Sequence, residues 1–237
     1  MSNTLAIAWK EIKTYFSTPA AYIVGAMFLV FTGIVFVLDV TQPFAEASVR
    51  GFIVPASFFF ILLAPLLTMR LLSEEQKLGT LELLLTAPVR DWEVVMGKYL
   101  AALVMLLATL GMTLYYVLLL YWFGSPDTGP VLSAYLGLIL YGAAALAVGL
   151  MASSMSPNQI VAAVVGMVIL LTLSFIDRVG ELASGIAREV LSGLSMNAHF
   201  VDFTRGVVDT GNVVYYLSIA AVFLFLTVRS LETRRWR

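Results

Sequence analysis

The sequence contains no cysteine and a single histidine, His199. Disulfide bonds, thiolate catalysis and cysteine-ligated metal sites are therefore excluded, and one histidine does not make a metal site. The histidine is interpreted as a capping or boundary residue. Charged residues are scarce as well, at 12% of the chain against about 25% in a typical soluble domain. The net charge of −1 gives no reason to expect a nucleic-acid partner.

Apolar residues take the place of the missing charge, since 60% of the chain is hydrophobic and its mean hydropathy is +0.94. A chain of this size cannot bury so much apolar surface within itself, so the excess must face lipid. Six runs approach the ~20 residues that cross a bilayer as a helix, and the alternating pattern of a membrane barrel is absent. The predicted spans are Ala20–Leu38, Phe52–Met69, Tyr99–Phe123, Val131–Ser153, Gln159–Ile176 and Val213–Val228. The sequence therefore predicts an all-α integral membrane protein with six transmembrane helices.

Residues 1–18 precede the first span and are predicted to form an amphipathic helix at the membrane interface. Apolar side chains recur in this segment at helical spacing, whereas Lys10 and Lys13 point away from them. The apolar set is Leu5, Ala8, Trp9, Ile12, Tyr15 and Phe16. Pro19 is expected to end this helix before the six-helix domain of residues 19–237.

The distribution of positive charge predicts the orientation in the membrane. Six crossings place both ends of the chain on one side, and ten of the fourteen Lys and Arg residues fall on that side. The other four are Arg50, Arg178, Arg188 and Arg205. Lys and Arg accumulate on the cytoplasmic side of membrane proteins. Both termini and the loop of residues 70–98 are therefore predicted to be cytoplasmic, in a bacterial inner membrane.

Motifs that would let the chain use energy by itself are missing from the sequence. The GxxxxGK[ST] phosphate loop is absent, so the chain is predicted not to hydrolyse ATP. The six predicted spans contain no Asp, Glu, Lys, Arg or His, although ion-coupled carriers and intramembrane enzymes need such groups in the membrane. The chain is therefore predicted not to be an enzyme, and any uphill transport must be driven by a partner.

The charge that is present is concentrated in one segment, SEEQKLGTLELLLTAPVRDWEVVMGK, at positions 73–98. It contains eight charged residues in 26 positions. Four of its leucines, Leu81, Leu83, Leu84 and Leu85, cannot all face the membrane from one short helix. They either rest on the inner leaflet or insert into a groove on a cytoplasmic partner, and the residues alone leave both interpretations open.

Local signals divide this segment into short helices. Ser73 and Gln76 form a capping-box pattern, which predicts a helix start at Ser73, and Gly79 is expected to end that helix. A second helix is predicted over Leu81–Thr86, with Thr80 as its N-cap. Asp91 is predicted to cap a third helix that continues into the next span.

Two stretches of the sequence resemble the ABC-2 family of transporter permeases. The first is GTLELLLTAPVRDWEVVMGKYLAAL, in which a Gly-Thr-Leu-Glu run, a Pro-Val pair and a Gly-Lys-Tyr before the third span are typical of the family. The second, HFVDFTRGVVDTGNVVYY, is similar to the family's segment before its last span. Within the family, the chain is similar to short permeases associated with gliding motility and with nitrous-oxide-reductase maturation.

The resemblance implies an ABC-2 exporter (type V-like) transmembrane domain in a permease subunit that pairs with a second, identical copy. Two copies of an ABC ATPase subunit would bind ATP and Mg²⁺, so this chain would hold no cofactor or metal. In the family, the loop between spans two and three supplies the coupling helix that contacts the ATPase. On this chain the coupling helix maps onto Gly79, Thr80, Leu81, Glu82, Leu83, Leu84, Leu85 and Thr86, with flanking contacts from Glu74, Glu75 and Arg90. The alternative for each flanking charge is a solvated loop residue.

The outer segment 177–212 is too polar to cross the membrane and is predicted to be helical. Asn197 is predicted to cap a short helix on which Asp202, Arg205 and Asp209 form ion pairs along one face. The resemblance implies that this region is an outward gate or a platform for a periplasmic accessory protein.

Small residues recur about one turn apart in the fourth span, at Gly142, Ala145, Gly149 and Ser153. Such a stripe allows another helix to approach closely. Packing within the subunit is favoured over a seam between two copies.

The alternative function is a non-transporting membrane scaffold that relays conformational change to a periplasmic partner. A dimer with that role would carry the same sequence features, so composition and motifs leave it open.

Overall fold

A computed structural model of the protein describes residues 3–43, 48–80, 89–181 and 185–235. Throughout these residues the chain consists of helices and short connections, so the all-α prediction is confirmed. The helices are α1 (Asn3–Ser17), α2 (Pro19–Val40), α3 (Arg50–Lys77), α4 (Asp91–Phe123), α5 (Thr128–Met155), α6 (Gln159–Glu181), α7 (Ile186–Gly193), α8 (Met196–Thr204) and α9 (Thr210–Arg235).

Six helices, α2 to α6 and α9, are long and apolar enough to cross a membrane, which confirms the predicted spans. The protein is therefore a multi-pass membrane protein. An even number of crossings places α1 and the end of α9 on the same side of the membrane, called the terminal side below. The helices extend beyond the predicted spans: Phe52–Met69 lies within α3, which continues to Lys77. An apolar run marks only the part inside the hydrocarbon, whereas a helix continues while its backbone stays hydrogen-bonded.

α3 and α5 form the centre of the bundle and are largely buried by the other helices. An aromatic column joins α2, α3 and α5. The Phe60 ring stacks on Phe28 with centroids 5.5 Å apart, and it lies 6.1 Å from the ring of Tyr141. All three side chains are fully buried. α2, α6 and α9 lie on the outside, and most of their apolar side chains are at least partly exposed, as contact with lipid requires.

Small residues on α5 allow α3 to approach it closely. Gly142 lies against Phe60, and Gly149 lies so close to α3 that an added Cβ atom would be 3.3 Å from the Ala64 carbonyl oxygen. The Ser153 hydroxyl donates to the Met69 carbonyl at 2.9 Å. The prediction that this stripe packs within the subunit is therefore confirmed.

The segment 177–212 is helical where it is described, but its helix caps differ from the prediction. Ser195 is the N-cap of α8, and its hydroxyl accepts a hydrogen bond from the Ala198 amide at 3.3 Å. Asn197 lies inside the first turn, so the prediction that it caps this helix is wrong. A serine satisfies the free amides of a helix start as well as an asparagine does, and the sequence offers both within three residues.

The predicted row of ion pairs on this segment is also wrong. α8 ends at Thr204, so Arg205 and Asp209 do not continue the helical face of Asp202. Asp202 instead accepts a hydrogen bond from the side-chain amide of Asn212 at 2.9 Å. Asp209 accepts one from the Gly211 amide at 2.9 Å, at the start of α9.

His199 caps a helix, as predicted. One ring nitrogen lies 3.1 Å from the Gly193 carbonyl oxygen, the last carbonyl of α7, and the other lies 2.6 Å from Oδ1 of Asn212. Its ring stacks on Tyr215 with centroids 4.0 Å apart. The histidine thereby joins α7, α8 and α9.

Candidate functional site

Both ends of the loop between α3 and α4 are described, and they lie on the terminal side. α3 ends at Lys77, and Gly79 adopts φ +69°, a left-handed conformation that favours glycine. The prediction that Gly79 ends the helix is confirmed. Gly79 and Thr80 are both exposed. The remaining residues of the predicted coupling helix, Leu81, Glu82, Leu83, Leu84, Leu85 and Thr86, lie outside the described residues.

The predicted helix start at Ser73 is wrong, because Ser73 lies inside α3 and is fully buried. Its hydroxyl donates to the backbone carbonyl of Met69, one turn earlier in the same helix. A serine that is satisfied in this way does not interrupt a helix. Gln76 donates instead to the Ser154 carbonyl at 3.0 Å, near the end of α5. α3 therefore runs from the membrane to the loop without a break.

The start of α4 is capped, but the acid that caps it is not Asp91. Arg90 occupies the N-cap position, and its backbone amide donates a hydrogen bond to the Glu93 carboxylate at 2.8 Å. The prediction for Asp91 is therefore wrong, since an acid in the third helical position reaches back to the free amide more readily. Glu93 also accepts from the side-chain amide of Asn3 at 3.3 Å, which joins the starts of α1 and α4. The third helix itself continues through Lys98 into the span, as predicted.

A buried ion cluster lies directly behind this loop. The ammonium of Lys98, on α4, lies 2.9 Å from Oε1 of Glu11 on α1 and 2.8 Å from Oε1 of Glu75 on α3. Lys98 is only 1% exposed, and charge-assisted hydrogen bonds are strong where water is excluded. Lys10 lies at the rim of the cluster, 68% exposed and 3.7–3.8 Å from the same two glutamates. The cluster brings three helices to one cation.

The three residues predicted to flank the coupling helix have different surroundings. Glu74 is 40% exposed and pairs with Arg70, one turn earlier on α3, at 3.4 Å. Arg90 is exposed at the N-cap of α4. Glu75 is turned inward, toward Lys98. Glu74 and Arg90 are thus accessible to a partner, whereas the Glu75 carboxylate is engaged inside the chain.

Besides the ion cluster, close packing holds α1 against α4, and a buried hydrogen bond holds α1 against α3. A Cβ atom added to Gly97 would lie 2.8 Å from the Ile7 side chain and 2.9 Å from the Thr4 carbonyl oxygen. The Tyr15 hydroxyl donates to the Leu67 carbonyl on α3 at 2.6 Å. Burial, and then the nearby Glu11 charge, raise the pKa of Tyr15 well above its ordinary value, so the phenol remains a neutral donor.

α1 is a helix, as predicted, but its faces are divided differently. Ala8, Glu11 and Tyr15 are buried against the protein, whereas Trp9 and Phe16 are exposed. The sequence signal that was missed is Glu11, which lies three residues after Ala8 and four before Tyr15 on the same helical face. A carboxylate on a buried face requires a cation, and Lys98 supplies it.

The ion cluster borders an open cavity of about 480 Å³ on the terminal side. α1 contributes Lys10 and Tyr15 to its wall, α3 contributes Leu71, and α4 contributes Lys98; Leu78, the residue after α3, also lines it. At this cavity the Lys98 cluster joins the helices α1, α3 and α4 just behind the loop.

Comparison with known families gives a match over most of the chain. The model described as ABC-2 type transporter matches residues 2–177. This range covers α1 to α5 and most of α6, and it includes both ends of the loop and all three members of the ion cluster. A comparison with characterised proteins found no match.

Proposed function

This chain belongs to the ABC-2 type transporter family, and from that premise we propose how it is driven. Such chains are the membrane-spanning permease subunits of ABC transporters and are not themselves ATPases. Two copies of a separate ABC ATPase, each binding ATP and Mg²⁺, dock on a dimer of identical permease chains. Their hydrolysis of ATP is coupled to export, or to conformational signalling, through the loop between α3 and α4.

The observation that best supports this proposal is the firm anchoring of the loop at both ends. α3 reaches Lys77 without a break, and α4 starts at Asp91 with its first free amide satisfied by Glu93. Behind these ends, Lys98 pairs with Glu75 at 2.8 Å. Coupling between distant sites is carried by rigid elements, because a loosely held segment would absorb a displacement instead of passing it on.

The chemistry of the loop suits a protein partner. The coupling helix, Gly79–Thr86, contributes four leucines to a docking surface, and apolar anchors of this kind fill grooves on partner proteins. Glu74 and Arg90, at opposite ends of the loop, have opposite charges and are both accessible. They supply the polar contacts around the leucines.

The orientation that this docking requires agrees with the charge distribution. ATP is in the cytoplasm, so the loop must be there too, and the positive-inside rule places the terminal side in the cytoplasm. The membrane is then a bacterial inner membrane with both termini inside. α7 and α8 lie on the opposite, periplasmic face, where an accessory protein would bind.

A substitution in the coupling helix tests the docking surface. Leu84→Glu places a carboxylate in an apolar groove, where an unpaired charge is costly, and we expect loss of the bound ATPase and of its stimulation by the permease. Thr233→Glu adds the same charge to the terminal side, at an exposed position near the end of α9, and should leave both intact. The measurement is the amount of ATPase retained by each tagged variant, together with ATP turnover. If Leu84→Glu retains as much ATPase as Thr233→Glu does, the assignment of the coupling helix to Gly79–Thr86 is wrong.

A further inference from the structure

One buried ion pair joins the two ends of the α3–α4 loop. Glu75 lies two residues before the last residue of α3, and Lys98 lies seven residues after the first residue of α4. Their charged atoms are 2.8 Å apart. Glu11 adds α1 to the same point, 2.9 Å from the Lys98 ammonium. At the base of the loop, α1, α3 and α4 therefore meet at the Lys98 ammonium.

Near the loop, direct packing between α3 and α4 is sparse, so the ion pair between Glu75 and Lys98 is an important connection between these helices. α1 packs closely on α4 at Gly97, whereas α3 packs chiefly against α5, α2 and α6 and has little direct contact with α4. The open cavity of about 480 Å³ lies among α1, α3 and α4. The hydrogen bond from Tyr15 on α1 to Leu67 on α3 lies eight residues before Glu75, about 12 Å away along α3. At the loop, Glu75 connects α3 to the α1–α4 pair: its carboxylate meets the buried Lys98 ammonium at 2.8 Å and the exposed Lys10 ammonium at 3.8 Å.

The two adjacent glutamates of α3 are oriented for different tasks. Oε1 of Glu75 meets Lys98, and its Oε2 is also buried and has no hydrogen-bond partner among the described residues. Glu74, the preceding residue, is partly exposed and pairs with Arg70 on its own helix. The Glu75 carboxylate is therefore poorly accessible to a partner protein, whereas the Glu74 carboxylate is accessible.

We infer that Lys98, Glu75 and Glu11 form a positioning clamp that fixes α3 to the α1–α4 pair. When the coupling loop is displaced, the three helices move together as one body. Glu75 then acts inside the permease and is not a contact to the ATPase. The source of the displacement rests on the proposed function, but the clamp itself is a property of the permease alone.

The absence of cysteine makes the clamp directly measurable, because introduced cysteines can be spin-labelled without background. A pair at Ser17 and Lys77 reports the distance between α1 and α3, and a pair at Ser17 and Trp92 reports the distance between α1 and α4. All three positions are exposed. Distance distributions are recorded by double electron–electron resonance on the full chain in lipid nanodiscs, without the ATPase.

Glu75→Gln is the test variant, and Glu74→Gln is its matched control. Glu75→Gln removes the charge that holds α3 but leaves Lys98 paired with Glu11, so the buried ammonium keeps a partner. In Glu75→Gln we expect the α1–α3 distance distribution to broaden from a single narrow peak. The α1–α4 distance distribution should remain a single narrow peak. Glu74→Gln should preserve both peaks. An unchanged α1–α3 peak in Glu75→Gln, or equal broadening in Glu74→Gln, would overturn the clamp.

A second readout separates the clamp from the docking surface. If the clamp is correct, Glu75→Gln retains the ATPase but loses the stimulation of ATP turnover by the permease. Loss of the bound ATPase with unchanged distances would assign Glu75 to the docking surface and would refute the clamp. Because the distances are measured without the ATPase, they remain decisive even if the proposed docking fails.

Discussion

Lys98→Met is expected to lower the free energy of unfolding by about 3–5 kcal/mol, the usual cost of removing one partner from a buried ion pair. The methionine would fill most of the volume of the lysine, but it would leave the Glu11 and Glu75 carboxylates with only the exposed Lys10 ammonium, 3.7–3.8 Å away, as a counter-charge. The two carboxylates would lose their hydrogen-bonded cation and repel each other, and the hydrated Lys10 ammonium at the rim would offset only part of that cost. The measurement is reversible unfolding in mixed micelles of a mild detergent and dodecyl sulfate.

Lys10→Met is the matched control for this experiment. Lys10 faces the same two glutamates at 3.7–3.8 Å, but its side chain is 68% exposed. Exposed ion pairs contribute only about 0–1 kcal/mol, so this variant should unfold nearly as the native chain does. Adding Glu11→Gln and Glu75→Gln to Lys98→Met should restore much of the lost stability, because no buried charge is then unpaired. Equal effects of the two lysine substitutions would show that the cluster is not a buried one.

Gly149→Ala is expected to destabilise the bundle by about 1–3 kcal/mol through overpacking between α5 and α3. An added Cβ atom would overlap the hydroxyl of Thr68 and would lie 3.3 Å from the Ala64 carbonyl oxygen. Thr68 cannot easily turn away, because it is β-branched, fully buried and hydrogen-bonded to the Ala64 carbonyl at 2.9 Å. The same unfolding measurement quantifies the loss.

Gly111→Ala provides the comparison, because this glycine is also within a spanning helix but has open space around its Cβ position. Alanine there should be neutral or stabilising by up to about 1 kcal/mol, since it reduces the conformational freedom of the unfolded chain. Combining Gly149→Ala with Thr68→Ala should recover part of the loss. Equal stabilities of Gly149→Ala and Gly111→Ala would contradict the close α3–α5 contact.

The spans could be predicted from the sequence because the bilayer imposes a simple requirement. A helix must offer about 20 apolar residues to cross the hydrocarbon, and a run such as Gln159–Ile176 meets that requirement without reference to any other part of the chain. The ends of the helices depend on local hydrogen bonds and were harder to predict. Ser73 has the sequence pattern of a cap, but its hydroxyl has an equally good acceptor in the Met69 carbonyl, and the helix continues.

The ion cluster could not be predicted in the same way, because its members are distant in sequence. Glu11, Glu75 and Lys98 each look like a solvated charge beside a membrane span, and pairing becomes visible only when α1, α3 and α4 are brought together. One local clue existed, since Glu11 interrupts the face of α1 that Ala8 and Tyr15 share. The small-residue stripe of α5 was easier to predict, because small residues spaced about one turn apart imply close packing whatever the partner is.

The most direct test of the account is to purify the tagged chain from its native membrane in mild detergent and to identify by mass every protein that remains bound. We expect an ABC ATPase in a one-to-one ratio with the permease, in a complex with two copies of each. The ATPase should be lost on Leu84→Glu and retained on Thr233→Glu. A bare permease dimer under several gentle conditions would contradict ATP-driven coupling and would favour the non-transporting scaffold.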